Sequence, residues 1–145
     1  MAEVILVPYE GSPLSKRALE RVLTHHPDAE IHVLYVVDPM LAVYDAETEG
    51  LPAASSWVEE MDAHAATLHA DAEALAADYD CTVTTATVTG RPAREILSYA
   101  DEHDVDHVVM GSHGRSGVSR LVLGSVAEQV MRQSPVPVTV VREAP

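Results

Sequence analysis

The chain of 145 residues contains no phenylalanine, one tryptophan, one cysteine (Cys81) and one lysine (Lys16). A single cysteine excludes an internal disulfide and any multi-cysteine metal cluster. No apolar run approaches the roughly 20 residues of a membrane span, and the opening MAEVILVPYE lacks the basic and apolar regions of a secretory leader. The expected compartment is therefore the cytoplasm, and no membrane partner is expected. Familiar nucleotide and nucleophile signatures are missing too. Gly124 is followed by Ser125 with no lysine behind it, which excludes a P-loop, and no GxGxxG fingerprint occurs. The segment Gly114 to Gly117 reads GRSG, so Ser116 sits one residue away from a GxSxG elbow.

Positive charge is the scarcest commodity. Nine Lys and Arg stand against 23 Asp and Glu, a formal net charge of −14. Such a surface repels nucleic acid and anionic lipid, which argues against both as general partners. The acids are spread along the chain and the hydrophobic fraction is 47%, so the sequence describes a folded acidic protein rather than a disordered one. The near-absence of lysine points to a high-salt cytoplasm, where the Debye length falls to about 3 Å and self-repulsion is screened. The blander alternative is an acidic protein at ordinary salt.

The length suits one domain over residues 1–145, with strands and helices alternating. Val4 to Pro8 is a continuous apolar run, as in a strand buried on both faces. Ser12 is placed to cap a helix with Pro13 at its first position, and Leu14, Ala18, Leu19, Val22 and Leu23 recur on one face. Ile31 to Val37 reads as a second buried strand. An acidic, Gly- and Pro-containing stretch to about Ala54 is long enough to form a lid. A long helix is expected over Ser55 to Tyr79, with Val58, Met61, Ala65, Leu68, Ala72, Leu75 and Tyr79 inward. Cys81 to Thr89 is a polar strand near a sheet edge. Pro92 opens a helix carrying Ala93, Ile96, Leu97 and Ala100, and Asp106 to Met110 resumes strand. A final helix carries Val126, Ala127, Val130 and Met131. Val136 to Val141 closes the sheet, with Pro137 marking an edge. The expected fold is α/β, an open parallel five-stranded sheet with helices on both faces.

The stretch GSHGRSGVSRLVLGS, Gly111 to Ser125, stands apart with its four glycines and two arginines. Gly111 follows the fourth strand, Gly114 would let backbone amides approach an anion, and Gly124 and Ser125 open the last helix, whose free amides favour phosphate. Arg115 and Arg120 supply positive charge. A glycine-rich surface turn before an ordinary helix explains the same residues equally well. Either way, ligands of such sheets bind beyond the carboxyl ends of the strands, where the strand order reverses.

Gly111, two residues, Gly114, nine residues, then Gly124 and Ser125 is a spacing similar to the ATP-binding signature of the universal stress protein family. ILVPYEGSPLSKRAL from Ile5, VVMGSHGRSG and SPVPVTVV extend the resemblance over the whole chain. It implies a Rossmann-like sheet of order 3-2-1-4-5 and ATP in the crevice, with Mg²⁺ accompanying the triphosphate. It also implies a homodimer through the last strand. Carried over by position, Pro8, Tyr9, Glu10 and Val37 would border the adenosine and Met110 and Gly111 the ribose region. Gly114, Arg115, Gly124, Ser125 and Val126 would meet the phosphates. Glu10 departs from the family's usual Asp, which moves the carboxylate outward by about one methylene. The dimer also has a physical motive, because an unpaired edge strand presenting Val136, Val138 and Val140 invites sheet addition.

The implied role is a nucleotide-dependent stress-response switch or protector with at most slow ATP hydrolysis. The only candidate bases are His113 and Glu10. A module of the same fold that binds no nucleotide is the first alternative, and a flavodoxin-like FMN carrier the second. Tyr9, Tyr44 and Trp57 would supply flavin stacking only thinly. Two histidine groups read as unremarkable: His64 and His69 fall on different helix faces, and the run Glu102, His103, Asp104, Asp106, His107 reads as an acidic solvated loop.

Overall fold

The computed structural model describes residues 2–39, 54–113 and 123–142. Strands β1 (Val4–Pro8), β2 (Glu30–Val37), β3 (Thr84–Thr89), β4 (His107–Gly111) and β5 (Val138–Val141) alternate with helices α1 (Pro13–His25), α2 (Ala54–Ala77), α3 (Pro92–Glu102) and α4 (Ser125–Gln133). The strands form one sheet of order β3-β2-β1-β4-β5, and every pairing is parallel. This is the expected α/β architecture and strand order.

Alternation along β1 divides the core in two. Ile5 and Val7 point to α1 and α2, where they meet Ala18, Leu19, Val22 and Ala72. Leu6 points to α3 and α4, where Ile96, Ala100, Ala127 and Val130 cover it. Each face of the sheet is thus covered by a helix pair, which is why the central strands carry no polar alternation.

Several expected boundaries shift, each for a local reason. α2 ends at Ala77 and Asp80 takes a left-handed φ of 57°, so Tyr79 lies beyond the helix and is exposed. Val58 is also exposed, and the face of α2 turned to the core is built from Ala65, Leu68, Ala72 and Ala76. Met131 likewise points outward from α4. β3 starts at Thr84 rather than Cys81, and its mixed exposure is that of the sheet edge it occupies. β4 begins at His107 because Asp106 is engaged with the chain before it. Its amide donates to the Val4 carbonyl, and its carboxylate accepts from the Val4 amide at 2.8 Å. Pro137 precedes β5 rather than interrupting it, and its carbonyl still accepts from the Val108 amide. None of the helices among the described residues is long and apolar enough to cross a membrane.

Candidate functional site

A cavity of about 650 Å³, its open mouth included, lies at the carboxyl ends of β1 and β4, where the strand order reverses. β1 and the turn after it contribute Pro8, Tyr9 and Glu10, and β2 contributes Leu34 and Val36. Pro92 and Ile96 of α3 form one wall. Met110, Gly111 and His113 line the side of β4, with Ser15 of α1 and Val126 of α4 at the edges.

Two glycines hold this cavity's walls at their observed spacing. A Cβ on Gly111 would sit 2.8 Å from the Leu14 Cβ, so only glycine lets the first turn of α1 pack against the end of β4. A Cβ on Gly124 would sit 2.9 Å from the Ser112 carbonyl oxygen. That carbonyl accepts the Gly124 amide at 2.7 Å, while the Ser112 amide donates to Val141. The start of α4 is thereby pinned to the ends of β4 and β5. Gly11, with φ 88°, makes the turn from β1 into α1.

The polar groups facing the cavity are few. Glu10 is the one Asp, Glu, Lys or Arg among the described lining residues, and its Oε1 is buried without a hydrogen-bond partner among the described residues. A buried carboxyl oxygen in that position, without a partner among the described residues, calls for a hydrogen-bond donor or a cation. Tyr9 is buried and its phenol is pushed above the ordinary value of 10.0, first by desolvation and then by the Asp71, Glu10 and Glu20 carboxylates. It therefore presents a neutral hydroxyl. Gly124 is the N-cap of α4 and offers no side-chain cap to the first-turn amides of that helix.

Most of the candidate residues from the sequence meet here. Pro8, Tyr9, Glu10, Met110, Gly111 and Val126 all line the cavity, while Gly124 and the exposed Ser125 stand at the start of α4 beside it. Val37 does not line the cavity. It is buried in the core beneath α1 and α2, and its neighbour Val36 takes the place on the cavity wall. Sequence reasoning missed Val36, Pro92 and Ile96. Gly114, Arg115, Arg120 and Tyr44 lie outside the described residues, as does the side chain of Trp57.

A family model described as the universal stress protein family matches residues 1–142. The chain belongs to the universal stress protein family. It is 33% identical over 144 residues to the universal stress protein MJ0531 of Methanocaldococcus jannaschii, covering 96% of this chain and 81% of that one. The solved structure of protein MJ0577 superposes with a TM-score of 0.83 at 28% identity, covering 100% of this chain and 99% of the other. Two more distant members share the fold. One was solved in complex with cAMP (TM-score 0.72, 24% identity, 98% of each chain). The other, from Archaeoglobus fulgidus, was solved in complex with dAMP (TM-score 0.66, 16% identity, 98% of each chain).

Proposed function

We propose that this universal stress protein binds ATP, with Mg²⁺ accompanying the triphosphate, in the cavity at the carboxyl ends of β1 and β4. The observation that carries the reading is Glu10 Oε1, a buried carboxyl oxygen that lacks a partner among the described residues and belongs to a residue lining the cavity. A ribose hydroxyl, or water on a bound cation, supplies the donor it requires. The second support is the start of α4, whose amides lack a side-chain cap, as an anion site needs. The base would lie between Pro8, Tyr9 and Val36, and the ribose near Met110 and Gly111. The phosphates would lie toward Val126, Gly124, Ser125, Gly114 and Arg115, with Mg²⁺ held mainly by phosphate oxygens and water. Relatives solved with cAMP and dAMP make an adenine nucleotide the natural ligand class. The chain would then act as a nucleotide-dependent stress-response switch with at most slow hydrolysis.

A second reading, an interaction module that binds no nucleotide, draws on a specific observation. Gly111 and Gly124 are demanded by Leu14 and Ser112 whether or not a ligand is present. Calorimetric titration with MgATP separates the two. Saturable binding that Glu10→Gln weakens supports the nucleotide reading, and absence of heat in the native chain supports the other. FMN is disfavoured because Tyr9 is the one Phe, Tyr or Trp ring among the described lining residues.

The homodimer would form through β5, an edge strand that packs on β4 by one side only. Val136 and Val138 are half-buried against the α3 and α4 core, and Val140 is half-buried too, so pairing with a second β5 would finish covering the strand. Val138→Asp combined with Val140→Asp should convert dimer to monomer in sedimentation; an unchanged dimer rejects this interface. The charge of −14 further supports adaptation to high salt, and the thermal midpoint should rise between low and molar KCl.

A further inference from the structure

At the opposite end of the sheet from the cavity, three side chains distant in sequence converge. Glu3 immediately precedes β1, His26 is the C-cap of α1, and His107 is the first residue of β4. One ligand atom from each lies within 4.8 Å of the others. His26 Nδ1 is 3.2 Å from Glu3 Oε1, and the two imidazole rings meet edge to face with centroids 6.0 Å apart. We propose that Glu3, His26 and His107 form a binding site for a divalent cation of the zinc class.

Donor chemistry selects the ion. Two imidazoles and one carboxylate suit Zn²⁺ or Co²⁺, whereas Mg²⁺ and Ca²⁺ prefer sets made of oxygen alone. Ligand atoms around a tetrahedral Zn²⁺ stand about 3.4 Å apart, given bond lengths near 2.0–2.1 Å. The His26 to Glu3 separation is already of that order, and the His107 ligand atom stands within 4.8 Å of both. Support for the rings is in place as well. His107 Nε2 is held by the Thr139 hydroxyl at 2.7 Å, a contact of the kind that orients a ligating imidazole. The His26 amide donates to the Val22 carbonyl, and the Glu3 carbonyl accepts from the Glu30 amide, which fixes both backbones. A solvent-facing groove bordered by Ala2, His25 and Asp28 adjoins Glu3 and His26.

Because the ligands come from three separate elements, the ion would tie the starts of β1 and β4 to the end of α1, and its binding should stabilise the fold. The test uses the untagged full chain, stripped with chelator and free of nucleotide. Co²⁺ should bind at one per chain with the intense visible absorption of a tetrahedral site, be displaced by Zn²⁺, and raise the thermal midpoint; Mg²⁺ should do none of these. His26→Ala and His107→Gln should each weaken Co²⁺ affinity by about tenfold or more, and Thr139→Val should weaken it by about tenfold through the orientation of His107. His25→Ala serves as the neighbouring control and should change nothing. Since His26 is at a helix end near the surface, its variant keeps the test valid if His107→Gln fails to fold. The proposal is overturned if the native chain shows no one-to-one Co²⁺ or Zn²⁺ binding, or if His26→Ala binds as tightly as the native chain.

Discussion

Helices α1 and α4 both begin beside the cavity, yet they begin differently. At α1 the chain completes its own helix start. The Ser12 hydroxyl accepts from the Ser15 amide at 3.2 Å, the Ser15 hydroxyl donates back to the Ser12 carbonyl at 2.8 Å, and Pro13 fills the first position, where no amide is needed. Both serines are buried. At α4 the N-cap is Gly124, with φ −65° and no side chain to offer, followed by an exposed Ser125. Its φ is open to any residue, so glycine is required there by the Ser112 carbonyl at 2.9 Å from a would-be Cβ and not by backbone strain. One helix start carries its own side-chain cap; the other has none from its N-cap residue, which is why the proposed phosphate site falls there.

The largest effect should come from breaking the α4 side. Gly124→Val places a branched side chain against backbone atoms of Ser112 and His113 that have little room to move. Overpacking of this kind costs about 1–3 kcal/mol, so the thermal midpoint should drop by roughly 3–10 °C and the stabilisation by MgATP should vanish with it. A variant that retains the full MgATP response would detach the α4 start from ligand binding. Next in size, Glu10→Gln should leave the unliganded midpoint nearly unchanged. Its MgATP affinity should fall by about tenfold to a hundredfold, as expected for loss of a hydrogen bond to a charged group. Calorimetry and melting on the same protein check both halves.

On the α1 side, Ser12→Ala should cost about 1 kcal/mol in chemical denaturation, through loss of the cap alone. The affinity for MgATP should stay as it was, and a parallel loss of affinity would erase the distinction between the two helix starts. A smaller, pH-dependent effect involves Tyr9, whose phenol ionises above 10.0 in the folded chain. The folded state keeps its proton where the unfolded state has lost it. Stability is therefore fully present below pH 10 and is lost as pH rises through the folded value. Tyr9→Phe should flatten that part of the profile in melts taken from neutral pH to pH 11.

The α1 start was legible because capping is local: Ser12 and Pro13 state it within two residues. The strands and the glycine spacing were legible for the same reason. Ile31 to Val37 is apolar apart from the buried His32, and a strand buried on both faces carries no alternation to say whether Val36 or Val37 faces the cavity. Only the pairing with β1 and β3 assigns Val36 to the cavity and Val37 to the opposite core. The apolar spacing runs on to Tyr79, two residues beyond the end of the helix and just before Asp80 takes its left-handed φ, so spacing alone overextends α2. The meeting of Glu3, His26 and His107 had no sequence signature at all, since its ligands lie on three elements that only the sheet brings together. His107 adjoins Asp104 and Asp106 in sequence, but in the fold it meets Glu3, His26 and Thr139.

The central claim, that the cavity between these two helix starts holds ATP, is tested most directly by the thermal midpoint in molar KCl with and without MgATP, beside MgGTP and FMN. Binding at about 100 times the Kd adds roughly 2.7 kcal/mol, which should raise the midpoint by several degrees with MgATP and by less with either control. An unchanged midpoint at millimolar MgATP would contradict the claim and leave the interaction module without nucleotide as the account of this fold.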